Sequence, residues 1–477
     1  MKSQIAALSA GALLLGASPA LAQTKAPMTA EQASALREDI KSLRAEIAAM
    51  ERRLAESGLA EEEAAAVATA PARPVAAAAP ASAPTPVQTA SAADTQIGWK
   101  GSPEFTKGDR RFKVKGRIQV DAGYVDAPDG LDDPGLGFSN EVRRIRLGGE
   151  GELGAGVGYK LELELSDNAV DLVDTFVTYE TKSWLLTVGN HNQFQSLDEL
   201  TGDTTGSTME RAAFTDAFNF ERRLGVSAQY RGFKPWLFQG GVFTDDVTAL
   251  SNDSDGPQGG DENNSYGVDG RIVYAPKIGD TQLHLGASAH YRDLNRLADS
   301  STRYRQRPYL HSSNSRLIGT PSMEVDEEMH YGVEFAAIHK RWHFASEGHW
   351  LNASQVDAPT ANFGGGYAEV GYFLTKDDSR AYKNGIFERT KPASPIDRGG
   401  LGYVQLNLRY DYLDLNDGAI QGGKQNGYIA ALIWAPLDYL RFNFNYAYLD
   451  YTGATPLEDG RRDYGVHVTG ARVELDF

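Results

Sequence analysis

The chain has 477 residues, with 64 acidic against 47 basic side chains and a formal net charge of −17. It contains no cysteine, which excludes disulfides, thiolate metal sites and a cysteine-linked N-terminal lipid anchor. The acidic balance argues against a generic nucleic-acid binder, which needs a basic surface, and the length allows a large core or one very large sheet.

In chain order, residues 1–22 carry the marks of a cleaved signal. Lys2 is followed by the apolar run "IAALSAGALLLGAS" and by "ALA" at 20–22, a small-x-small cleavage site. The run falls short of the roughly 20 residues that a spanning helix needs. No later stretch is long and apolar enough either, so membrane insertion must use strands. The expectation is an exported protein.

Residues 29–57 predict a helix. Leu36, Ile40, Leu43, Ile47, Met50 and Leu54 alternate steps of four and three, the seam of a coiled coil. Residues 58–108 follow as a linker, Ala/Pro-rich in "ATAPARPVAAAAPASAPTPV", an extended spacer without a core of its own.

From 109 to 477 the chain reads as strand after strand. "FKVKGRIQVDAGY" (112–124), "YKLELELS" (159–166), "YVQLNLRYDYL" (403–413) and "RFNFNYAYLDY" (441–451) each alternate apolar with polar residues. The polar partners are often charged, and aromatics gather near strand ends. That pattern suits a transmembrane barrel with lipid outside and water inside. About 370 residues at roughly 20–25 per strand and connection predict about 16 antiparallel strands. The Gly-rich stretch 245–265 predicts a long extracellular loop. The chain ends on "GARVELDF", a strand stopping at Phe477, which is similar to the assembly signal of bacterial outer-membrane barrels. An even strand count puts both barrel termini in the periplasm, with the coil, in the outer membrane of a Gram-negative cell.

Within "TRYRQRPY" (302–309), Arg303, Arg305 and Arg307 recur at every second position, one face of a strand. Such a guanidinium ladder concentrates anions and can bind phosphate bidentately. A solvated extracellular strand, or contact with lipopolysaccharide phosphates, is the competing reading.

Several stretches resemble the phosphate-selective porin O/P family: "GRIQVDAGYVD", "EVRRIRLGGEGEL", "TMERAAF", "GGGYAEVGYFLT", "YKNGIFERTKPASP" and "RYDYLDLND". Their order and spacing cover most of 112–477. The resemblance implies a homotrimer of 16-stranded barrels, narrowed by an inward-folded third loop. It also implies pore-lining arginines, here Arg117, Arg143, Arg144 and Arg211 at the eyelet, with Arg303, Arg305 and Arg307 on the approach. The chain departs from the family in the constriction loop "NQFQSLDELTGDTTGSTMER". Glu199 stands where the phosphate-selective members have a lysine, with Asp198 and Asp203 close by. A carboxylate at a narrow point opposes a dianion. A Trp-Glu pair of a later strand is replaced in "GYVQ" (402–405).

The expected function is a passive diffusion channel for small hydrophilic solutes, with a preference for phosphate or other small anions. The alternative is a weakly selective porin whose coil also tethers the outer membrane to the cell wall. A remoter alternative is an outer-membrane phospholipase using His311, Ser313 and Asn314 of "LHSSNSR". Asp253, Asp255, Asp261 and Glu262 form an acidic stretch without the spacing of a calcium loop. No phosphate-cradling loop, dinucleotide fingerprint or zinc-spaced histidine pair occurs, so no cofactor, resident metal or catalytic residue is expected.

Overall fold

The computed structural model of the chain describes Lys41 and residues 95–166, 170–244, 265–294 and 302–477. The signal, the rest of the coiled-coil segment, the Ala/Pro spacer and the acidic stretch 245–264 lie outside the described residues.

Sixteen long strands among the described residues form one ring. They are β1 (Arg110–Asp126), β2 (Gly137–Gly154), β3 (Val157–Glu164), β4 (Asp171–Glu180), β5 (Trp184–Asn192), β6 (Arg222–Tyr230), β7 (Trp236–Phe243) and β8 (Tyr266–Tyr274). The second half comprises β9 (Thr281–Asp293), β10 (Val325–His339), β11 (Trp342–Gln355), β12 (Ala361–Phe373), β13 (Tyr403–Asp417), β14 (Ile420–Leu437), β15 (Leu440–Thr452) and β16 (Tyr464–Asp476). Each pairs antiparallel with its chain neighbour, and β16 returns to β1 from His467↔Asp126 to Asp476↔Arg117. Closure leaves no free edge. Phe477 extends the seam: its N–H donates to the Gly116 carbonyl at 2.9 Å, and Gly116 N–H donates to its carbonyl at 3.0 Å. A Cβ on residue 116 would run into the Phe477 ring.

Burial is inverted relative to a soluble sheet. On β13, Gln405, Asn407, Arg409 and Asp411 point inward and are buried, while Leu406, Leu408 and Tyr410 point outward and are exposed. An outer face of exposed Leu, Val and Ile is stable only against lipid. Aromatic pairs mark the barrel end that carries both termini: Trp184–Tyr230, Trp236–Tyr274 and Trp342–Tyr372 have ring centroids 4.8, 4.7 and 4.4 Å apart. These belong to the interfacial girdle.

One boundary differs from the sequence expectation. Residues 96–107, placed in the linker, form a hairpin of Gln96–Trp99 with Pro103–Lys107, and the second strand pairs with the start of β1. The alternation there is too short to stand out. Pairing with β1 and the Phe105–Phe112 ring stack at 6.4 Å order it.

Three connections matter for the lumen. Residues 193–221, between β5 and β6, and 294–324, between β9 and β10, leave the end opposite the termini. Residues 374–402, between β12 and β13, leave the terminal end and are far longer than the turns beside them.

Candidate functional site: the lumen and its eyelet

The 193–221 loop folds inward, and charged wall residues satisfy its backbone. It contains two short helices, α1 (Leu197–Leu200) and α2 (Ala213–Ala217). The Glu347 carboxylate accepts from the N–H groups of Leu197 and Asp198 at 2.8 and 2.7 Å, and Asp411 accepts from Ala213 N–H at 3.2 Å. Each carboxylate thus meets unpaired donors at a helix start. Glu369 accepts from the Ser207 hydroxyl at 2.8 Å, and Arg441 donates to the Gly206 carbonyl at 2.8 Å. On β10 and β11, His330 and His349 support the rings of the loop, with Phe214 stacked on His349 at 5.4 Å. No metal-binding group of histidines and carboxylates occurs among the described residues.

The loop leaves a cavity of about 330 Å³ on the side of β2, β6 and β16. Seven arginines line it (Arg143, Arg144, Arg146, Arg211, Arg222, Arg307, Arg472), together with six carboxylates (Asp198, Glu199, Asp203, Glu210, Asp216, Glu221). The formal balance is +1. Arg143 and Arg144 both reach the cavity, although neighbours on a strand point to opposite faces. A bulge reconciles the two: Arg144 pairs with Gln119 and Val142 with Val120, leaving Arg143 as the extra residue.

Asp203 sits among four guanidiniums. Its Oδ2 lies 3.3 Å from Arg117, 3.2 Å from Arg144 and 3.3 Å from Arg146, and its Oδ1 lies 3.0 Å from Arg211. Arg211 also pairs with Glu199 at 3.1 Å. Burial pushes the Glu199 carboxyl up to about 7; Asp203 and Asp198 add to the rise, and Arg211 and Arg222 oppose it. Arg472 is fully engaged by Asp121 at 2.7 Å and Glu210 at 2.6 Å.

Above the eyelet, residues 302–324 cross the barrel mouth. Tyr304 is buried and donates its hydroxyl to Glu328 at 2.6 Å, while Arg303 and Arg305 on either side of it are exposed. Arg307 is half-buried, and its backbone N–H donates to Asp216 of α2 at 2.7 Å. The period-two ladder therefore exists on this loop, although only Arg305 and Gln306 pair as a strand, with Gly319 and Ile318. Arg303 and Arg305 meet no carboxylate among the described residues. Arg316 joins the group: burial pulls its guanidinium down to about 10, and Arg307 and Arg305 add to the fall.

Toward the terminal end, Arg111, Lys113, Lys115 and Arg117 share the inward face of β1. The 374–402 connection brings in Arg389, which donates to the Asp476 carbonyl at 2.7 Å and to the Thr204 hydroxyl at 3.3 Å. It thereby touches the tip of the constriction loop.

All four arginines expected at the eyelet adjoin it, as do Asp198, Glu199 and Asp203. Sequence reasoning missed Arg146, Arg222, Arg316 and Arg472. For Arg146 the signal was present, two residues beyond Arg144 on one strand. The phospholipase arrangement is absent: His311 Nδ1 lies 3.0 Å from the Glu141 carboxylate, and the fully buried Ser313 donates its hydroxyl to the Gly135 carbonyl at 2.7 Å. Without a histidine to take its proton, that serine is no nucleophile.

A family model described as phosphate-selective porin O and P matches residues 112–477. An uncharacterized protein of Caulobacter vibrioides is 62% identical over 480 residues, spanning 100% of this chain and 96% of its own length. Among solved structures, an anion-selective porin from Comamonas acidovorans is 12% identical and covers 77% of this chain and 100% of its own, with a TM-score of 0.47. The outer membrane channel DcaP of Acinetobacter baumannii is 12% identical over 78% of this chain and 99% of its own, TM-score 0.46. The trimer form of OmpT, an outer membrane protein of Vibrio cholerae, is 9% identical over 78% of this chain and 100% of its own, TM-score 0.49.

Proposed function

The chain belongs to the phosphate-selective porin O and P family, and we propose that this outer-membrane porin passes small hydrophilic solutes with a preference for anions. One observation carries the preference: arginines without carboxylate partners among the described residues stand at the mouth, ahead of an eyelet whose formal balance is positive. Arg303, Arg305 and Arg316 raise the local concentration of anions, and Arg143, Arg144, Arg146 and Arg211 meet them at the narrow point. Lys113 and Lys115 continue the row toward the periplasm. Phosphate and related oxyanions suit guanidiniums because their oxygens accept two N–H bonds at once.

A second reading, a porin of weak selectivity, is favoured by the six carboxylates among the seven arginines of the eyelet. The reversal potential of purified protein in a planar bilayer under a KCl gradient separates the two. The expected result is a potential on the anion side. A value at zero or on the cation side would leave only the general porin.

A further inference from the structure

We propose that Asp203 is a tethered counter-ion: its carboxylate occupies an oxyanion site built by Arg117, Arg144, Arg146 and Arg211 and thereby sets the affinity of the eyelet for free anions. The inference rests on the anion-channel reading and names the residue that limits it.

The geometry is that of a bound ligand. Both oxygens of Asp203 are engaged, Oδ2 by three guanidiniums at 3.2–3.3 Å and Oδ1 by a fourth at 3.0 Å. The four arginines come from β1, β2 and the constriction loop itself, so wall and loop converge on one carboxylate. For Arg144, Asp203 is the carboxylate in contact at 3.2 Å, and Arg144 also donates to the neutral Gln119 side-chain oxygen at 2.8 Å. Three of the four also meet another carboxylate, Arg146 at Glu164 (2.8 Å), Arg211 at Glu199 (3.1 Å) and Arg117 at Asp476 (3.5 Å), but each guanidinium carries about five N–H groups, and Arg117 Nε is buried without a partner.

A free phosphate or small carboxylate needs the same donors, in the same place, as the Asp203 oxygens. Asp203 is attached to the loop, and a tethered group competes at a high effective concentration. An entering oxyanion therefore shares or displaces it and leaves again quickly, as conduction requires. Without the carboxylate, the N–H groups that four arginines aim at Asp203 converge on a position of oxyanion size, while Glu164, Glu199 and Asp476 keep their own pairs with Arg146, Arg211 and Arg117. The eyelet then holds oxyanions instead of passing them.

The test is the block of chloride current by inorganic phosphate at pH 7, in bilayers containing the full-length protein or its variants. Asp203→Asn keeps the size of the side chain and removes its charge. Half-block is expected at a phosphate concentration about tenfold lower or more than for the native protein, the scale of losing one charge-assisted competitor. Asp203→Glu, which retains a carboxylate, is expected to stay within about threefold of the native value. If Asp203→Asn does not assemble, Asp203→Asn combined with Arg146→Gln leaves one fewer guanidinium uncompensated. It is expected to show the same gain relative to Arg146→Gln alone. Equal half-block with and without the Asp203 carboxylate, in either pair, overturns the inference and leaves anion preference standing. A cation-leaning native channel overturns the anion reading itself, whatever the variants show.

Discussion

At the scale of single residues, Glu199 makes the eyelet sensitive to pH. Its carboxyl is pushed up to about 7 by burial, so it is neutral below that value and negative above it. Arg211 and Arg222 face it from the loop and from β6, and Asp198 and Asp203 from its own loop. Counting Glu199 as neutral raises the formal balance of the eyelet from +1 to +2. Anion preference is therefore expected to rise as pH falls from 8 to 6, read as a shift of the reversal potential toward the anion side. In Glu199→Gln the shift over that window should vanish, with the potential held at its low-pH value. A native channel flat between pH 8 and 6 would mean that Glu199 has an ordinary carboxylate pKa and is already ionised throughout. The sequence placed Glu199 among the carboxylates of the 193–221 loop, which the fold turns inward. Its environment was not legible, because Arg222 is brought beside it only when β6 closes onto the ring.

At the scale of elements, period-two alternation told most of the fold. It marked β1, β3, β13 and β15 outright, and residue count gave the ring size because lipid demands closure. It could not register what breaks the alternation. Arg143 and Arg144 are adjacent, so strict pleating sends one of them outward, and only pairing with β1 reveals the bulge that turns both inward. The infolded 374–402 connection was likewise invisible, since its contacts to Thr204 lie far away in sequence. The bulge makes a specific prediction. Deleting one residue of the Arg143–Arg144 pair regularises β2: the remaining arginine pairs with Gln119 and the parity of Val142 and Ile145 is kept. The barrel should still form, seen as normal heat-modifiable migration on gels. The eyelet should lose one positive charge, moving its balance from +1 to 0, with a smaller reversal potential. Loss of the folded barrel would mean that the bulge shapes the wall and does more than present a side chain.

At the scale of the whole molecule, the chain separates charge by location, keeping at the mouth arginines that meet no carboxylate among the described residues while its total charge is −17. It also separates tasks along its length. The sixteen strands, the hairpin at Gln96–Lys107 and the seam of β16 on β1 all lie at or beyond residue 96. Among the described residues, every pairing that closes the ring lies at or beyond residue 96. We propose that the coil expected at 29–57 helps hold together the trimer that the family resemblance implies, since an a/d seam associates chains. The hairpin decides where to cut. A variant lacking residues 23–94 keeps the signal and the strand that caps the start of β1, whereas a cut at 97 would remove Gln96 and Ile97 from that hairpin. The shortened protein is expected to give native single-channel conductance and native phosphate block, since mouth, eyelet and exit are intact. Its trimers should come apart in detergent at a lower temperature than those of the full chain. Trimers that persist to the same temperature would take that role from the coil and leave attachment to the cell wall as the task to test. A fall in conductance would mean that the N-terminal segment reaches the pore.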